Sequence, residues 1–584
     1  MILNLESASR QSFGSRFNET SQDETLAQRL TDGRLVMAPH GEWALPVAPT
    51  WKEDPFADDN WQFQYHSLRW LDPLRRVALR GNLDAKSLWS SYVKSWVNAN
   101  PPGGSPTKWA WIDMGDALRT FELTFALPLF MDDPDWLINS LLEHAHWLAD
   151  ESHLGHGNHA FHQHQALFVV SCALDLEEYR EISINRLAGM LASSYDDSGV
   201  NEEGSVGYQE LNLHWWVEAL RRLELEGVPR PEGCERLSLA PVSLAHATQP
   251  NGEYVRLGDI DGGGPQGIDA PETRYVSTAG KEGHPPEELI KVYERGYIYG
   301  RSGWGETERD FEQETFFSIS FGAQNKIHGH QDGGSLTYFA GGRPWIVDTG
   351  KFTYGAHPMR RYVVGRAGHN LLVLKDRTYD RTAKVELVRE HQASRFFDVS
   401  LRDDGYQGAT ISRRIIYSKT GEYLIVIDRV SADARVEVQQ RWHLSTGTEV
   451  SVDGSLARIE ATEGATRIQW LGSSGKIRCA YGSEEPFEGW TSTGWRTKAP
   501  TSLLSATRTG EQVSFITVIG AGSFADTPGA SLHRMAAGRF EIAVPTDKGV
   551  EYVLVENGKA TVADLPHDDS SVSCQPGGED RVLA

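Results

Sequence analysis

Cysteine is scarce in this chain. The four cysteines are far apart in the sequence, and no two form a Cys-x-x-Cys pair: Cys172, Cys234, Cys479 and Cys574. This spacing argues against a zinc site built from cysteines and against a small scaffold held together by disulfides. Long hydrophobic runs are also missing, since no segment approaches the roughly 18 consecutive apolar residues of a membrane-spanning helix. The N-terminal residues lack the basic and apolar regions of a secretory signal, which predicts a cytoplasmic protein, or a periplasmic or secreted one if a leader has been removed.

Positive charge is in the minority. The chain has 57 Lys and Arg against 80 Asp and Glu, and its net charge is -23. An acidic field of this size repels nucleic acids and anionic membranes, so we expect neither as a partner. It would also repel a polyanionic substrate unless basic side chains gather where that substrate binds.

The hydrophobic periodicity divides the 584 residues into three parts. Residues 1–40 are weakly patterned and are predicted to be an N-terminal extension. In residues 41–285, apolar side chains recur at i, i+3, i+4 and i+7, which predicts consecutive amphipathic helices arranged as hairpins. Residues 248–292, which extend from the end of this part into the next, are rich in Gly, Pro and Glu, which is typical of a connection with functional loops. Residues 286–584 alternate with a period of two between turn residues, which predicts a large antiparallel β-sandwich.

The most informative stretch of the strand-rich part is His328-Gly-His330-Gln-Asp332. Two imidazoles at i and i+2 of an extended backbone point to the same face, about 7 Å apart along the strand. This arrangement suits a shared metal ion, or one metal ligand beside one catalytic group. It equally fits two surface histidines in a polar turn.

A possible metal site extends downstream of the double histidine. Asp348 follows His330 by 18 residues, and His369 comes 21 residues later. Two histidines and one aspartate form a credible zinc set. The HxHxDH motif of metallo-β-lactamases does not fit, because Gly333 stands where its last histidine would be.

A second group of histidines lies in the helical part. Seven of the 20 histidines fall between His144 and His164. Within this group Asn158 follows a glycine-rich loop and is a plausible N-cap, with His159 next to it. Tyr208 also follows a glycine-rich loop at a predicted helix start, and fits either a core residue or a phenol that exchanges a proton.

Five short motifs follow one another along both halves of the chain: GNH (157–159), GxxGY (204–208), HGHxD (328–332), GRPWIVDTG (342–350) and RRYxxxxAGHN (360–370). In this order and spacing the chain resembles the heparinase II/III-like polysaccharide lyases, which include heparinases and oligoalginate lyases. The resemblance implies an α+β multidomain fold, in which an N-terminal incomplete α/α toroid precedes a C-terminal antiparallel β-sandwich.

The same resemblance implies β-elimination at a uronic acid and assigns catalytic roles. Asn158 and His159 would contact the carboxylate of the sugar. Tyr208 would protonate the leaving glycosidic oxygen and could also act as the base for one C5 epimer. His328 would be the second base or would assist in neutralising the carboxylate.

Ligand-binding residues are also implied by the resemblance. His330, Asp348 and His369 would hold a structural zinc ion, with Mn²⁺ or another divalent metal as the alternative. Four further residues are predicted to contact the substrate: His162, Arg360, Arg361 and Tyr362. An arginine can pair with a carboxylate or sulfate in bidentate fashion, although a solvated surface pair fits as well.

The chain departs from the pattern of this family in two respects, and two other functions fit its sequence. Many relatives read AHNT around the last ligand, where this chain has Gly368-His369-Asn370-Leu371. The absence of a secretion signal favours an enzyme that acts on imported oligosaccharides from a chain end.

The alternatives to a lyase are a non-catalytic sugar-binding protein and a toroid-type glycoside hydrolase. The candidate hydrolase acids are Glu202, Glu203 and Asp113. Hyaluronan, chondroitin, heparan and alginate all carry the C5 carboxylate, and the arginine pair and many tryptophans favour a glycosaminoglycan.

Overall fold

The computed structural model describes residues 3–13, 16–306, 308–536, 539–556 and 558–564. The chain divides into two compact units. The first contains Met1–Asp197 and Leu211–Ser238, and the second contains Ser198–Glu210 and Leu239–Ala584. The boundary predicted between residues 285 and 286 falls inside the second unit. So does the stretch 248–292, which was predicted to be a connection.

The first unit is helical. Its helices are α1 Leu5–Ala8, α2 Asp23–Thr31, α3 Asp59–His66, α4 Asp72–Leu79, α5 Leu83–Ala99, α6 Met114–Phe125, α7 Asp135–Ala149, α8 Asn158–Leu174, α9 Glu177–Ser194 and α10 Val206–Leu225, of which α10 begins in the second unit. Two short strands, β1 Arg34–Val36 and β2 Glu42–Ala44, form an antiparallel pair. Helices α1 and α2 occupy part of the predicted N-terminal extension, and they pack on α8 and α4 respectively.

Helix α8 forms the centre of the first unit. Residues 160–174 of this helix are all buried, whereas a surface helix buries only one apolar stripe. Helices α6, α7 and α9 pack around it. Its first turn, which carries Asn158 and His159, is therefore anchored by a fully buried helix.

The second unit consists mainly of antiparallel strands. They are β3 Ile290–Tyr293, β4 Tyr297–Arg301, β5 Phe316–Ser320, β6 Gly322–Ala323, β7 Leu336–Ala340, β8 Arg343–Ile346, β9 Leu372–Leu374, β10 Lys384–Gln392, β11 Phe396–Tyr406, β12 Ala409–Ser418, β13 Leu424–His443, β14 Glu449–Asp453, β15 Leu456–Ala461, β16 Gly464–Leu471, β17 Lys476–Tyr481, β18 Ser483–Glu484, β19 Phe487–Glu488, β20 Trp490–Gly494, β21 Thr497–Pro500, β22 Ser502–Ala521, β23 Ser531–Ala536, β24 Arg539–Thr546, β25 Gly549–Glu556 and β26 Lys559–Ala563. Three helices accompany them: α11 Ala240–Ala247, α12 Pro271–Ser277 and α13 Pro358–Val364.

Most of these strands form three sheets that share hydrophobic cores, and β18-β19 and β20-β21 form two further two-stranded sheets. An 11-stranded sheet follows the order β14-β15-β16-β22-β13-β12-β11-β10-β6, with β17 also paired to β22 and β9 to β13. A five-stranded sheet, β3-β4-β5-β7-β8, shares one hydrophobic core with it, and a four-stranded sheet, β23-β24-β25-β26, shares another. Neighbouring residues of the large sheet enter opposite cores, for example Ile415 and Ile416. The large sheet is therefore buried on both faces, which explains continuous apolar runs such as LIVI (424–427).

The predicted order of a helical half followed by an antiparallel sandwich is confirmed. Tight hairpins join β12 to β13 at KTGEY (419–423) and β7 to β8 at AGGRP (340–344). No helix within the described ranges is both long and apolar enough to cross a bilayer. Cys172, Cys234 and Cys479 are unpaired thiols, whereas Cys574 lies outside the described residues.

Candidate active site

Backbone hydrogen bonds join three loops of the second unit. The amide of His328 donates to the carbonyl of Glu203 at 2.8 Å, and the amide of Asp259 donates to the carbonyl of His328 at 2.8 Å. The amide of Val206 donates to the carbonyl of Leu257 at 3.2 Å. Buried peptide groups outside a sheet need such partners. Segments 203–206, 257–259 and 328–330 are thereby held together.

Glycine is required where these loops meet. Gly258 has φ +69, and a Cβ there would lie 2.4 Å from the carbonyl oxygen of Gly204 and 2.7 Å from that of His328. Gly204 has φ +85, and its Cβ would lie 2.6 Å from the Cβ of Lys326. The left-handed backbone and the close approach both exclude larger residues. The first glycine of the GxxGY motif thus lets the chain leading to Tyr208 approach the histidine loop.

His328 and His330 lie on a loop, so the predicted extended strand is wrong at this position. The peptide groups of His328 bond to two other loops instead of to a neighbouring strand. Both rings nevertheless reach one carboxylate. Nδ1 of His328 is 3.2 Å from Oδ2 of Asp259, and Nε2 of His330 is 3.1 Å from Oδ1.

Asp259 is only 3 % exposed, and it is also held by Arg360. The guanidinium contacts both carboxylate oxygens, with Nη2 3.1 Å from Oδ2. Burial alone would favour the neutral acid, but hydrogen bonds from His328, His330 and Arg360 lower the pKa of Asp259 far below its usual range. An ionised carboxylate can only accept hydrogen bonds, so Nδ1 of His328 and Nε2 of His330 both carry a hydrogen.

Tyr208 lies in the first turn of α10 and faces His328. The two rings are stacked, with centroids 3.4 Å apart and planes at 7°. The hydroxyl of Tyr208 is 2.7 Å from that of Tyr354. Burial, followed by Tyr354, Asp259 and Glu203, raises the pKa of Tyr208 well above its usual value. The phenol therefore carries its proton at neutral pH.

His330, Asp348 and His369 form a buried cluster in which one potential ligand atom of each lies within 4.8 Å of the others. Asp348 follows β8 and His369 precedes β9, so two strand ends position them. Nδ1 of His369 is 2.7 Å from Oδ2 of Asp348; burial opposes protonation, but this carboxylate raises the pKa of His369 overall.

The chemistry of this cluster fits a divalent metal. Nδ1 of His330 and Nε2 of His369 are buried and have no hydrogen-bond partner among the described residues. A buried ring nitrogen without a partner is unfavourable unless a ligand uses it. Two imidazoles and one carboxylate are donors that zinc accepts, which makes these three residues a suitable metal-binding set.

The predicted substrate-binding residues near this cluster differ in their surroundings. Arg360 uses its guanidinium on Asp259, and the adjacent Arg361 is exposed. Tyr362 is 5 % exposed within a hydrophobic cluster, and its hydroxyl lies 2.8 Å from Nε2 of His443. Burial is a physical reason against direct sugar contact by Tyr362. Of the two arginines, the exposed Arg361 is better placed to contact an anionic ligand.

In the first unit, Asn158 and His159 open helix α8. The cap position is held by Gly157 with φ 56 and Asn158 is the first helical residue, so the predicted N-cap role of Asn158 is wrong. Nδ1 of His159 lies 2.7 Å from Oδ2 of Asp113. Asp113 has φ 60 and ψ -147, a conformation rarely adopted by residues other than glycine. A strained residue thus supports the ring of His159.

His162 does not share the half-exposed position of His159. Its ring is fully buried and contacts Phe13 and Trp215. Burial, followed by the nearby charges of His159 and Arg69, lowers the pKa of His162 well below its usual value. A neutral core histidine of this kind has no surface on which to contact a polysaccharide.

Sequence reasoning did not single out Asp259 or Tyr354. Asp259 lies in GDIDGGG (258–264), and an aspartate inside a glycine-rich run is the signal that could have found it. Tyr354 lies on the segment between Asp348 and Arg360, so its place within the motif-rich region was a hint. Two of the candidate hydrolase acids lie beside histidines of the candidate site: Oε2 of the buried Glu203 is 3.9 Å from Nε2 of His328, and Asp113 contacts His159.

Comparison with protein families gave two matches. Residues 296–521 match the sequence model of the heparinase II/III-like C-terminal domain, and residues 40–230 match that of the heparinase II/III N-terminus. Together the matched segments include all five motifs. A comparison with curated proteins gave no significant match.

Solved structures with similar folds include heparinase III and a heparan sulfate lyase. Heparinase III has a TM-score of 0.75 at 18% sequence identity, with 96% of this chain and 94% of the heparinase covered. A mutant of the heparan sulfate lyase HepC from Pedobacter heparinus has a TM-score of 0.67 at 18% identity, with 96% and 91% covered. The shared fold combines a helical toroid with a β-sandwich, as the sequence predicts.

Proposed function

This chain belongs to the heparinase II/III-like family and is a polysaccharide lyase, and from this premise we propose that it cleaves uronic-acid-containing polysaccharides by β-elimination. The product would carry a 4,5-unsaturated uronate at its new end. The observation that carries the proposal is the stacked pair of Tyr208 and His328, a phenol and an imidazole in van der Waals contact. Such a pair supplies one proton donor and one proton acceptor for the same sugar.

His328 is the proposed base. Its Nδ1 hydrogen is directed to Asp259, so Nε2 carries the lone pair that would take the C5 proton. Tyr208 is the proposed acid, because its hydroxyl is protonated at neutral pH and its ring stacks on that of the proposed base. The C4–O bond breaks as the C4–C5 double bond forms, and the proton from Tyr208 ends on the departing sugar.

Neutralisation of the carboxylate is assigned to Asn158 and His159. Removal of a C5 proton builds negative charge beside the carboxylate, and hydrogen bonds or positive charge directed at that group lower the barrier. Asn158 can supply an amide hydrogen, and a protonated His159 can supply the Nε2 hydrogen and positive charge, while the Asp113 contact at Nδ1 orients the ring. The exposed Arg361 is proposed as an additional contact for anionic groups of the chain.

A structural zinc ion is proposed at His330, Asp348 and His369, with Mn²⁺ or another divalent metal as the alternative. When bound, the ion would supply positive charge that ties these three side chains together. The two imidazoles each offer a buried ring nitrogen without a partner, which supports the assignment. Its role would be to hold the loop that carries His328.

The substrate is proposed to be a glycosaminoglycan, with alginate as the second candidate. The names of the similar structures, heparinase III and heparan sulfate lyase, support the first choice. The test is to incubate the enzyme with heparan sulfate, heparin, hyaluronan, chondroitin sulfate and alginate and to record near-ultraviolet absorbance. An unsaturated uronate absorbs there because its double bond is conjugated with the carboxylate. Chain cleavage with new reducing ends and no absorbance would contradict β-elimination, and no cleavage of any polymer would contradict the substrate class.

A further inference from the structure

The Asp259 carboxylate contacts two histidines to which the proposed function gives different tasks. We propose that Asp259 is a positioning residue that fixes opposite tautomers in His328 and His330. It would direct Nε2 of His328 to the sugar and Nδ1 of His330 to the metal. The task given to His328 rests on the proposed function, whereas the hydrogen-bond geometry stands without it.

The two contacts involve opposite nitrogens. Oδ2 of Asp259 lies 3.2 Å from Nδ1 of His328, and Oδ1 lies 3.1 Å from Nε2 of His330. A neutral imidazole has one nitrogen with a hydrogen and one with a lone pair. Because both rings donate to the same carboxylate, the lone pairs are left on Nε2 in His328 and on Nδ1 in His330. A metal-bound histidine commonly donates its other N–H to a carboxylate, as His330 does here.

The backbone between the two histidines is closely packed against the rest of the site. A Cβ at Gly329 would lie 2.9 Å from the Cβ of Lys326 and 3.5 Å from the carbonyl oxygen of Gly204. The loop therefore passes close to its neighbours at this point. The amide of Asp259 also donates to the carbonyl of His328, which fixes the carboxylate relative to the loop.

Arg360 completes the arrangement. Its guanidinium contacts both oxygens of Asp259, while each oxygen also accepts from one imidazole. The guanidinium adds a cation to the two imidazole N–H groups that already contact the carboxylate. Arg360 thus supports Asp259, but the two imidazole contacts do not depend on it.

The decisive variant is Asp259→Asn in the full-length protein. The asparagine has the same shape, but it keeps one acceptor oxygen and gains an NH₂ group that donates. Only one of the two imidazole N–H groups can then keep its partner. We expect zinc affinity, measured by competition with a chromophoric chelator, to weaken about 10–100-fold. On a cleaved polymer, kcat should fall at least about 10-fold while KM changes less than about threefold.

Two controls separate tautomer control from loss of a buried ion pair. Asp398 is fully buried and accepts from Arg414 at 2.7 and 2.8 Å, and no histidine in the described part of the chain donates to its carboxylate. Asp398→Asn should therefore lower thermal stability and leave zinc affinity and kcat within about twofold of the wild type. Arg360→Gln keeps the carboxylate and both imidazoles, so it should weaken zinc binding less than Asp259→Asn does.

The outcomes are distinct. Zinc affinity of Asp259→Asn equal to that of Asp398→Asn would overturn the inference, as would a wild type that takes up no divalent metal. An equal loss in Arg360→Gln would assign the effect to the ion pair and would also overturn it. If the wild type produces no unsaturated uronate and yet Asp259→Asn loses zinc affinity selectively, the proposed function fails while the positioning of His330 by Asp259 stands.

Discussion

Replacement of Tyr208 by phenylalanine isolates the proposed proton donor. The change removes one hydroxyl and keeps the ring, so the stacking on His328 at 3.4 Å should persist. The change removes the 2.7 Å hydrogen bond with the hydroxyl of Tyr354. The side chain of Tyr354 is 44% exposed, so water can replace the missing partner.

The expected effects on stability and on catalysis differ greatly in size. Loss of one neutral hydrogen bond costs about 0.5–1.5 kcal/mol, and rehydration of Tyr354 places this case at the low end. Loss of a positioned general acid costs about 10²–10⁴-fold in rate, which corresponds to about 3–5 kcal/mol of activation free energy. We therefore expect kcat to fall by at least about 100-fold, with a shift of the thermal midpoint of at most about 3 °C.

The assay is the initial rate of near-ultraviolet absorbance on the best substrate, with thermal unfolding measured on the same preparations. Tyr275→Phe is a matched control, because its hydroxyl donates to the carbonyl of Trp304 at 2.6 Å within the second unit and makes no contact with the loops of the site. This control should lose a similar amount of stability and keep its kcat.

Two results would refute the reasoning. A Tyr208→Phe enzyme that retains more than about a third of the wild-type kcat would show that the phenol does not transfer a proton in the slow step. A kcat that falls in proportion to the folded fraction, in both variants alike, would assign the effect to stability.

Three further predictions concern the metal, a strained residue and a buried acid. Removal of the metal with a chelator should lower the thermal midpoint, because a ligand bound only by the folded state stabilises it; unchanged midpoint and metal content would exclude the site. Asp113→Gly should release about 1–3 kcal/mol of backbone strain, which offsets the loss of the contact with His159, so that the stability of the protein is roughly retained. The kcat should fall about 10-fold, because the His159 ring is no longer held by the carboxylate. An unchanged kcat would contradict this role of Asp113. Burial raises the pKa of Asp116 to about 7 from 3.8, so its folded form binds a proton that the unfolded chain releases. The stability that this proton contributes is fully present below about pH 4 and is lost as the pH rises through 7. The urea midpoint of Asp116→Asn should therefore vary less between pH 5 and 8 than that of the wild type. An equal variation in both proteins would point to another titrating group.

The division into a helical half and a strand half could be predicted because periodicity is a local property. Residues 135–149, 158–174 and 177–194 repeat apolar residues with the period of a helix, and they form α7, α8 and α9. Local reasoning was less successful where the backbone bends sharply. The segment 61–74 has a helical pattern, yet α3 ends at His66 and α4 begins at Asp72, because Leu68 adopts a left-handed conformation with φ 57.

The candidate site was predictable only in part. His330, Asp348 and His369 were named together from motif spacing, and they do gather in one buried cluster. Asp259 was not found, because it is separated from His328 and His330 by 69 and 71 residues. Nothing in the sequence of a glycine-rich loop states which distant ring it will approach, since that depends on how three loops close on one another.

The structure gives two residues of the arginine motif partners that the sequence did not indicate. Arg360 and Tyr362 were predicted to contact the substrate, and charge and residue type supported that reading. In the structure Arg360 serves a buried carboxylate and Tyr362 packs beside His443. Residue type predicts what a side chain can bind, but the choice among several suitable partners is made by tertiary packing.

The burial of both faces of the large sheet affects the order in which parts of the protein unfold. Strand β13 pairs with β12, β22 and β9, and its apolar residues contribute to both cores of the sandwich. Its amides can lose their partners only when both cores separate, so their exchange with solvent deuterons should follow global unfolding. His369 lies three residues before β9, which pairs with β13. His369, one of the proposed metal ligands, is thereby attached to the part of the chain that should unfold last.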